Sequence, residues 1–130
     1  SIGADIVLVS IHHGTEYVGI PRRAERDYAR ALARTGVDAV IGHHPHVPQG
    51  VEYIGDVPVI HSLGNTVFLQ RDPWTQVGLL AEFTFVRGAK PTLTMRPLAA
   101  TFTPRWLSGR DSITAMRHLD SLSRRLRGLP

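Results

Sequence analysis

Five of the seven histidines fall in two tight groups, His12-His13 and His43-His44-Pro45-His46. Neutral imidazole is the commonest side-chain ligand for Zn²⁺, Mn²⁺, Fe or Ni²⁺, so such groups point first to metal capture. The spacing in the second group is informative. Proline disfavours the helical region for the residue before it, which predicts an extended His44. In an extended segment residues i and i+2 project to the same side, so His44 and His46 can aim at one volume. Other chemistries find no support. The chain has no cysteine, which removes thiolate ligands, disulfides and cysteine nucleophiles. Ser10 and Ser62 lie near histidines without a G-x-S-x-G elbow, and the phosphate-loop and dinucleotide fingerprints do not occur.

The elements that must position these histidines can be read from hydrophobic pattern. Asp5 to Ile11 is an apolar, β-branched run that predicts a buried strand. Pro21 opens a predicted helix over Arg22 to Thr35, with Ala24, Tyr28, Ala31 and Leu32 at helical spacing and Gly36 just beyond its end. Val37 to Ile41 is the next strand. Strand, helix and strand in so short a stretch form a βαβ unit with parallel strands. Both histidine groups then follow the C-terminal ends of neighbouring strands, the edge at which open α/β sheets build sites.

Further on, Val51–Ile54 and Val57–Ile60 read as a hairpin around Gly55-Asp56. Gln76 to Arg87 and Pro91 to Leu98 read as long strands, with a short one over Ala99 to Thr103. Asp111 to Arg127 carries Ile113, Met116, Leu119, Leu122 and Leu126 on one stripe, which predicts an amphipathic helix capped by Asp111 or Ser112. The fold class expected is α/β: a parallel βαβ start, antiparallel strands and a C-terminal helix.

At 130 residues, 42% apolar and 20% charged, the composition is that of one globular domain without low-complexity tracts. No apolar run is long enough to cross a membrane, so no anchor is expected within these residues. The formal charge of +4 is uneven: eight Lys/Arg face two Asp/Glu from residue 88 onward, against seven and nine before it. A basic stretch could favour nucleic acid, anionic lipid or an anionic polymer, but a solvated arginine-rich helix face is the expectation. Aromatic interleaving and recognised nucleic-acid motifs are lacking, so no nucleic-acid partner is expected.

Three ordered runs carry a family resemblance: His12-x-Gly14-x-Glu16-Tyr17, Gly42-His43-His44-Pro45-His46-Val47 followed by Gln49 and Glu52, and Ser62-Leu63-Gly64-Asn65. In order and spacing they resemble the bacterial capsule (poly-γ-glutamate) synthesis proteins of the CapA family, which is similar to the calcineurin-like metallophosphoesterases. The likeness is close over residues 4 to 70 and looser beyond. It implies that His12, His44 and His46 are metal ligands and that Glu16 and Asn65 belong to the catalytic apparatus. Glu16 could equally orient a ligand, donate a proton or cap the local turn, and Asn65 could be an Asx-turn residue. His13, His61 and Thr66 stand where the family usually has Trp, Tyr and Phe; structural roles are expected for the two histidines, and none is assigned to His43.

The resemblance implies divalent ions (Mn²⁺, Zn²⁺ or Fe), two in the complete domain, and hydrolysis of a phosphoester or related bond. It implies an anionic polymer or phosphoester substrate and a membrane-anchored, extracytoplasmic parent in the cell envelope. The alternative is a non-catalytic metal-binding scaffold in a polymer-synthesis complex. The family's Asp-bearing strand, second Asp loop and Asn-x-Glu or Asn-His segment have no counterpart here, so residues 1–130 are expected to be the C-terminal portion of an α/β/β/α sandwich. Such a portion would hold about one of two sheets, with the N-terminal half of the domain as its partner and an exposed seam favouring homo-oligomers.

Overall fold

A computed structural model describes residues 3–128. In chain order the elements are β1 (Leu8–His12), α1 (Arg23–Ala33), β2 (Ala39–His43), β3 (Val51–Ile54), β4 (Val57–Ile60), a 3-10 turn (Pro73–Gln76), β5 (Val77–Thr84), β6 (Thr92–Ala99), β7 (Arg105–Trp106) and α2 (Gly109–Leu126). The α/β class, parallel start, antiparallel continuation and C-terminal helix are as expected. The strands divide into two sheets rather than one. The first has the order β1-β2-β4-β3 and the second β5-β6-β7.

β1 pairs parallel with β2, placing His12 opposite His43, and β2 pairs parallel with β4. β3 and β4 form the predicted hairpin, and β5 and β6 a long antiparallel ladder. The sheets meet through the bridges Pro48–Leu63 and Gly64–Gly78 and the bond from Leu79 N–H to Leu63 O, 2.9 Å. Gly78 is required there, because a Cβ would lie 1.8 Å from the carbonyl oxygen of Asn65.

Four expectations are corrected. β1 begins at Leu8 and lies at a sheet edge, with Ile6, Val7 and Leu8 exposed rather than buried. Of the residues expected at helical spacing on α1, Ala24, Tyr28 and Ala31 are exposed and only Leu32 reaches the core. Ala29 and Ala33 instead pack on Val37, Val40 and Val59, with Val9, Ile11 and Leu32 around them. Only small side chains let the helix approach the sheet this closely, and the larger Tyr28 ring meets His13 outside it. Residues 101–103 are bends, and the short strand forms later, at Arg105–Trp106. Finally, α2 starts at Gly109 with Ser108 as N-cap, and Ile113 faces solvent.

α2 lies against β3 and β6 through Ala115, Leu119, Leu122 and Leu126. Ser123 Oγ accepts from Val51 N–H at 2.9 Å and donates to Leu119 O at 2.8 Å, satisfying a buried edge of the sheet. Among the described residues, no helix is long and apolar enough to cross a membrane.

Candidate metal centre

The parallel register brings the loops after β1 and β2 together at one edge. His13 N–H donates to His43 O at 3.1 Å, and Tyr17 N–H to Pro45 O at 2.8 Å. Buried Gln49 adds a third tie, its Nε2 donating to Val18 O at 2.7 Å. Three non-glycine residues have positive φ among those described: Tyr17 at 60°, His44 at 103° and His46 at 62°. All three border the same site. Such conformations cost about 1–3 kcal/mol each and persist where surrounding structure enforces them, often at functional sites. The predicted extended His44 is therefore corrected. The two imidazoles converge through a left-handed turn held by buried Pro45, not through strand alternation.

His44 and His46 have ring centroids 6.0 Å apart, and His12 and His44 4.9 Å apart. His12 Nε2 lies 3.1 Å from His44 Nδ1, so one of these nitrogens carries the shared hydrogen. Glu16 faces the pair, and ligand atoms of Glu16, His44 and His46 all lie within 4.8 Å of one another. The four residues anticipated at this edge thus meet in space, with His12 reaching the group through His44.

Asn65 completes the group from the sheet junction. Its Nδ2 donates to Gln70 Oε1 and to Thr75 O, both at 3.0 Å. The amide therefore presents Oδ1 to His46 Nδ1, 2.8 Å away. An oxygen there accepts, so Nδ1 carries the hydrogen, and in the neutral ring Nε2 is the nitrogen with the lone pair. That lone pair faces Glu16 Oε1 at 3.7 Å, beyond hydrogen-bond distance. Two electron-pair donors facing across this gap fit a cation between them. A histidine fixed through its other ring nitrogen is the usual arrangement of a metal ligand.

The remaining histidines differ. His13 turns its ring edge to Tyr28 at a 5.4 Å centroid distance, and burial lowers its pKa. His43 is also lowered, first by burial and then by the nearby His12. His61 is buried and lies 2.9 Å from Glu52 Oε1. Glu52 also accepts from Arg26 Nε at 2.9 Å and from Arg30 Nη2 at 2.8 Å. Arg26 reaches Leu126 O as well. Burial alone would raise the Glu52 carboxyl, but hydrogen bonds from His61, Arg26 and Arg30 outweigh it and hold the group well below the usual carboxylate range. His61 thus joins an ion network that ties α1, β3 and α2 together beneath the site.

Sequence reasoning gave no role to Tyr17 or Gln70. The Tyr17 ring stacks on His46 at 5.8 Å, Phe68 at 5.4 Å, and Gln70 Nε2 donates to Tyr17 Oη at 2.9 Å. Tyr17 had a signal, its place in the first motif. Gln70 had none.

These observations define an α/β domain with a histidine-carboxylate cluster of metal-ligand type at the C-terminal edge of its parallel strands. The chain belongs to the bacterial capsule synthesis protein PGA_cap family, whose model matches residues 1–70. It is 44% identical over 73 residues to the PGA biosynthesis protein CapA of Bacillus subtilis (strain 168), covering 56% of this chain and 19% of that protein. It is 40% identical over 73 residues to the capsule biosynthesis protein CapA of Bacillus anthracis, covering 56% and 17%. The uncharacterized protein y4sH of Sinorhizobium fredii (strain NBRC 101917 / NGR234) is 41% identical over 58 residues, covering 45% and 12%. The match thus spans about a fifth or less of these relatives' lengths.

Proposed function

We propose that this chain supplies the histidine side of a divalent-metal centre in a phosphoesterase-like domain that serves capsule poly-γ-glutamate synthesis in the cell envelope. The observation that carries the reading is the pairing of His46 Nδ1 with Asn65, which turns Nε2, the free donor nitrogen of the neutral ring, toward Glu16. The family and its capsule-synthesis relatives support the biological setting.

In this reading His44 and His46 hold the ion, His12 orients or joins His44, and Asn65 fixes the His46 tautomer. Glu16 contributes a carboxylate or moves a proton at the open side. Mixed imidazole and carboxylate donors suit Mn²⁺, Zn²⁺ or Fe. A bound divalent ion would supply Lewis-acid polarisation of a phosphoryl oxygen. A pair of ions requires bridging carboxylates from elsewhere in the full-length protein.

The test is metal stoichiometry and affinity for Mn²⁺ and Zn²⁺ by calorimetry, with His44→Ala/His46→Ala alongside. Saturable binding lost in the variant is expected. Equal binding by both proteins would remove the ion from these loops. Full-length protein that binds metal here yet hydrolyses neither phosphomonoesters nor phosphodiesters would support the scaffold reading instead.

A further inference from the structure

Beside the histidine cluster, between the loop after β1, the 3-10 turn and α2, lies a cleft of about 440 Å³. Tyr17 belongs to both places: its ring stacks on His46 and it also lines the cleft. Trp74 and His118, stacked at 3.7 Å, and Leu122 give the cleft a flat, largely apolar wall. Arg125 and Asp72 also line it. Asp72 is engaged locally, since its Oδ1 accepts from Trp74 N–H at 2.9 Å. Among the described residues, Arg125 has no carboxylate within ion-pair distance.

The hydrogen bonding at Tyr17 has a direction. Gln70 Nε2 donates to the Tyr17 oxygen, and Gln70 Oε1 in turn accepts from Asn65, whose Oδ1 meets His46. This relay fills an acceptor position on the phenol and leaves its own O–H to donate elsewhere. Among the described residues that O–H has no acceptor. The strained φ of 60° at Tyr17 keeps the ring on His46 at the junction of cluster and cleft.

We propose that Tyr17 and Arg125 form a substrate subsite for an oxyanion, with the apolar stem of the same ligand lying along Trp74 and Leu122. The phenol O–H and the guanidinium supply charge-assisted hydrogen bonds, and the aromatic wall takes methylene groups. The oxyanion is a phosphate or a polymer side-chain carboxylate; both present anionic acceptor oxygens. The assignment rests on the metal-centre reading for its purpose but not for its binding.

The experiment uses the 130-residue chain in a Trp106→Phe background, which leaves Trp74 as the one tryptophan. Inorganic phosphate and a γ-linked diglutamate are titrated separately, with chelator and then with Mn²⁺, while Trp74 fluorescence is followed. Saturable change with either probe is expected, and the responding probe identifies the oxyanion. Tyr17→Phe and Arg125→Gln should each weaken it about tenfold, with unchanged circular dichroism. No saturation by either probe, or undiminished affinity in either variant, overturns the subsite. Metal binding retained without anion binding sinks the subsite alone. Anion binding without metal binding sinks the metal centre alone.

Discussion

Asn65 Oδ1 stands 2.8 Å from His46 Nδ1, and the same amide donates to Thr75 O at 3.0 Å. The second bond fixes which end of the amide faces the ring, and the first fixes which ring nitrogen carries hydrogen. Asn65 thereby fixes how the His46 ring presents its other edge to Glu16.

Replacing Asn65 with Leu should weaken Mn²⁺ or Zn²⁺ binding about 10–100-fold, the usual effect of losing a histidine's orienting partner. Calorimetric titration reads this directly. Unchanged affinity would mean that His46 keeps its tautomer without Asn65.

The buried Glu52 network predicts a large stability effect. Glu52→Ala leaves Arg26 and Arg30 facing a buried gap and should cost about 3–5 kcal/mol in urea unfolding. Loss of under 1 kcal/mol would show that water satisfies both guanidinium groups.

Acid sensitivity follows from the same group. Glu52 is held below its ordinary pKa when folded, so its contribution is complete above the unfolded carboxylate value. It declines as pH falls below that value toward the lower folded one. Glu52→Gln, compared across pH 3 to 7, should flatten this acid limb of stability. A limb of unchanged slope would assign acid loss to other carboxylates.

Gly42 lies where β2 passes β4, and an added Cβ would sit 2.0 Å from His61 O. Gly42→Ala should therefore cost about 3 kcal/mol or more, at the upper end of overpacking. The change also moves the His43-to-His46 loop, so metal affinity should fall with stability. A stable variant with normal affinity would contradict the close approach.

β1 pairs on one side only, with Ile6, Val7 and Leu8 exposed beside it. An apolar edge of this kind favours strand pairing between molecules. Sedimentation at micromolar concentration should show self-association, reduced by Leu8→Lys. A monomer at every concentration would count against an adhesive edge.

The sequence by itself determined the βαβ unit, the hairpin, the long antiparallel strands and the edge at which the histidines gather. Those features follow from local period and from the rule that short crossovers make parallel strands. It also placed His12, His44, His46, Glu16 and Asn65 in one neighbourhood, through motif order. Tertiary structure alone decided how they meet. The left-handed turns at His44 and His46 overrode the extended geometry expected before proline, because contacts from Tyr17 and buried Pro45 outweigh local preference. Arg26 and Arg30, to which the sequence assigned no role, turn inward because Glu52, more than 20 residues away, is buried beneath them. Tyr17 and Gln70 joined the site for the same reason: their partners lie far along the chain, and no local pattern encodes a contact across 53 residues.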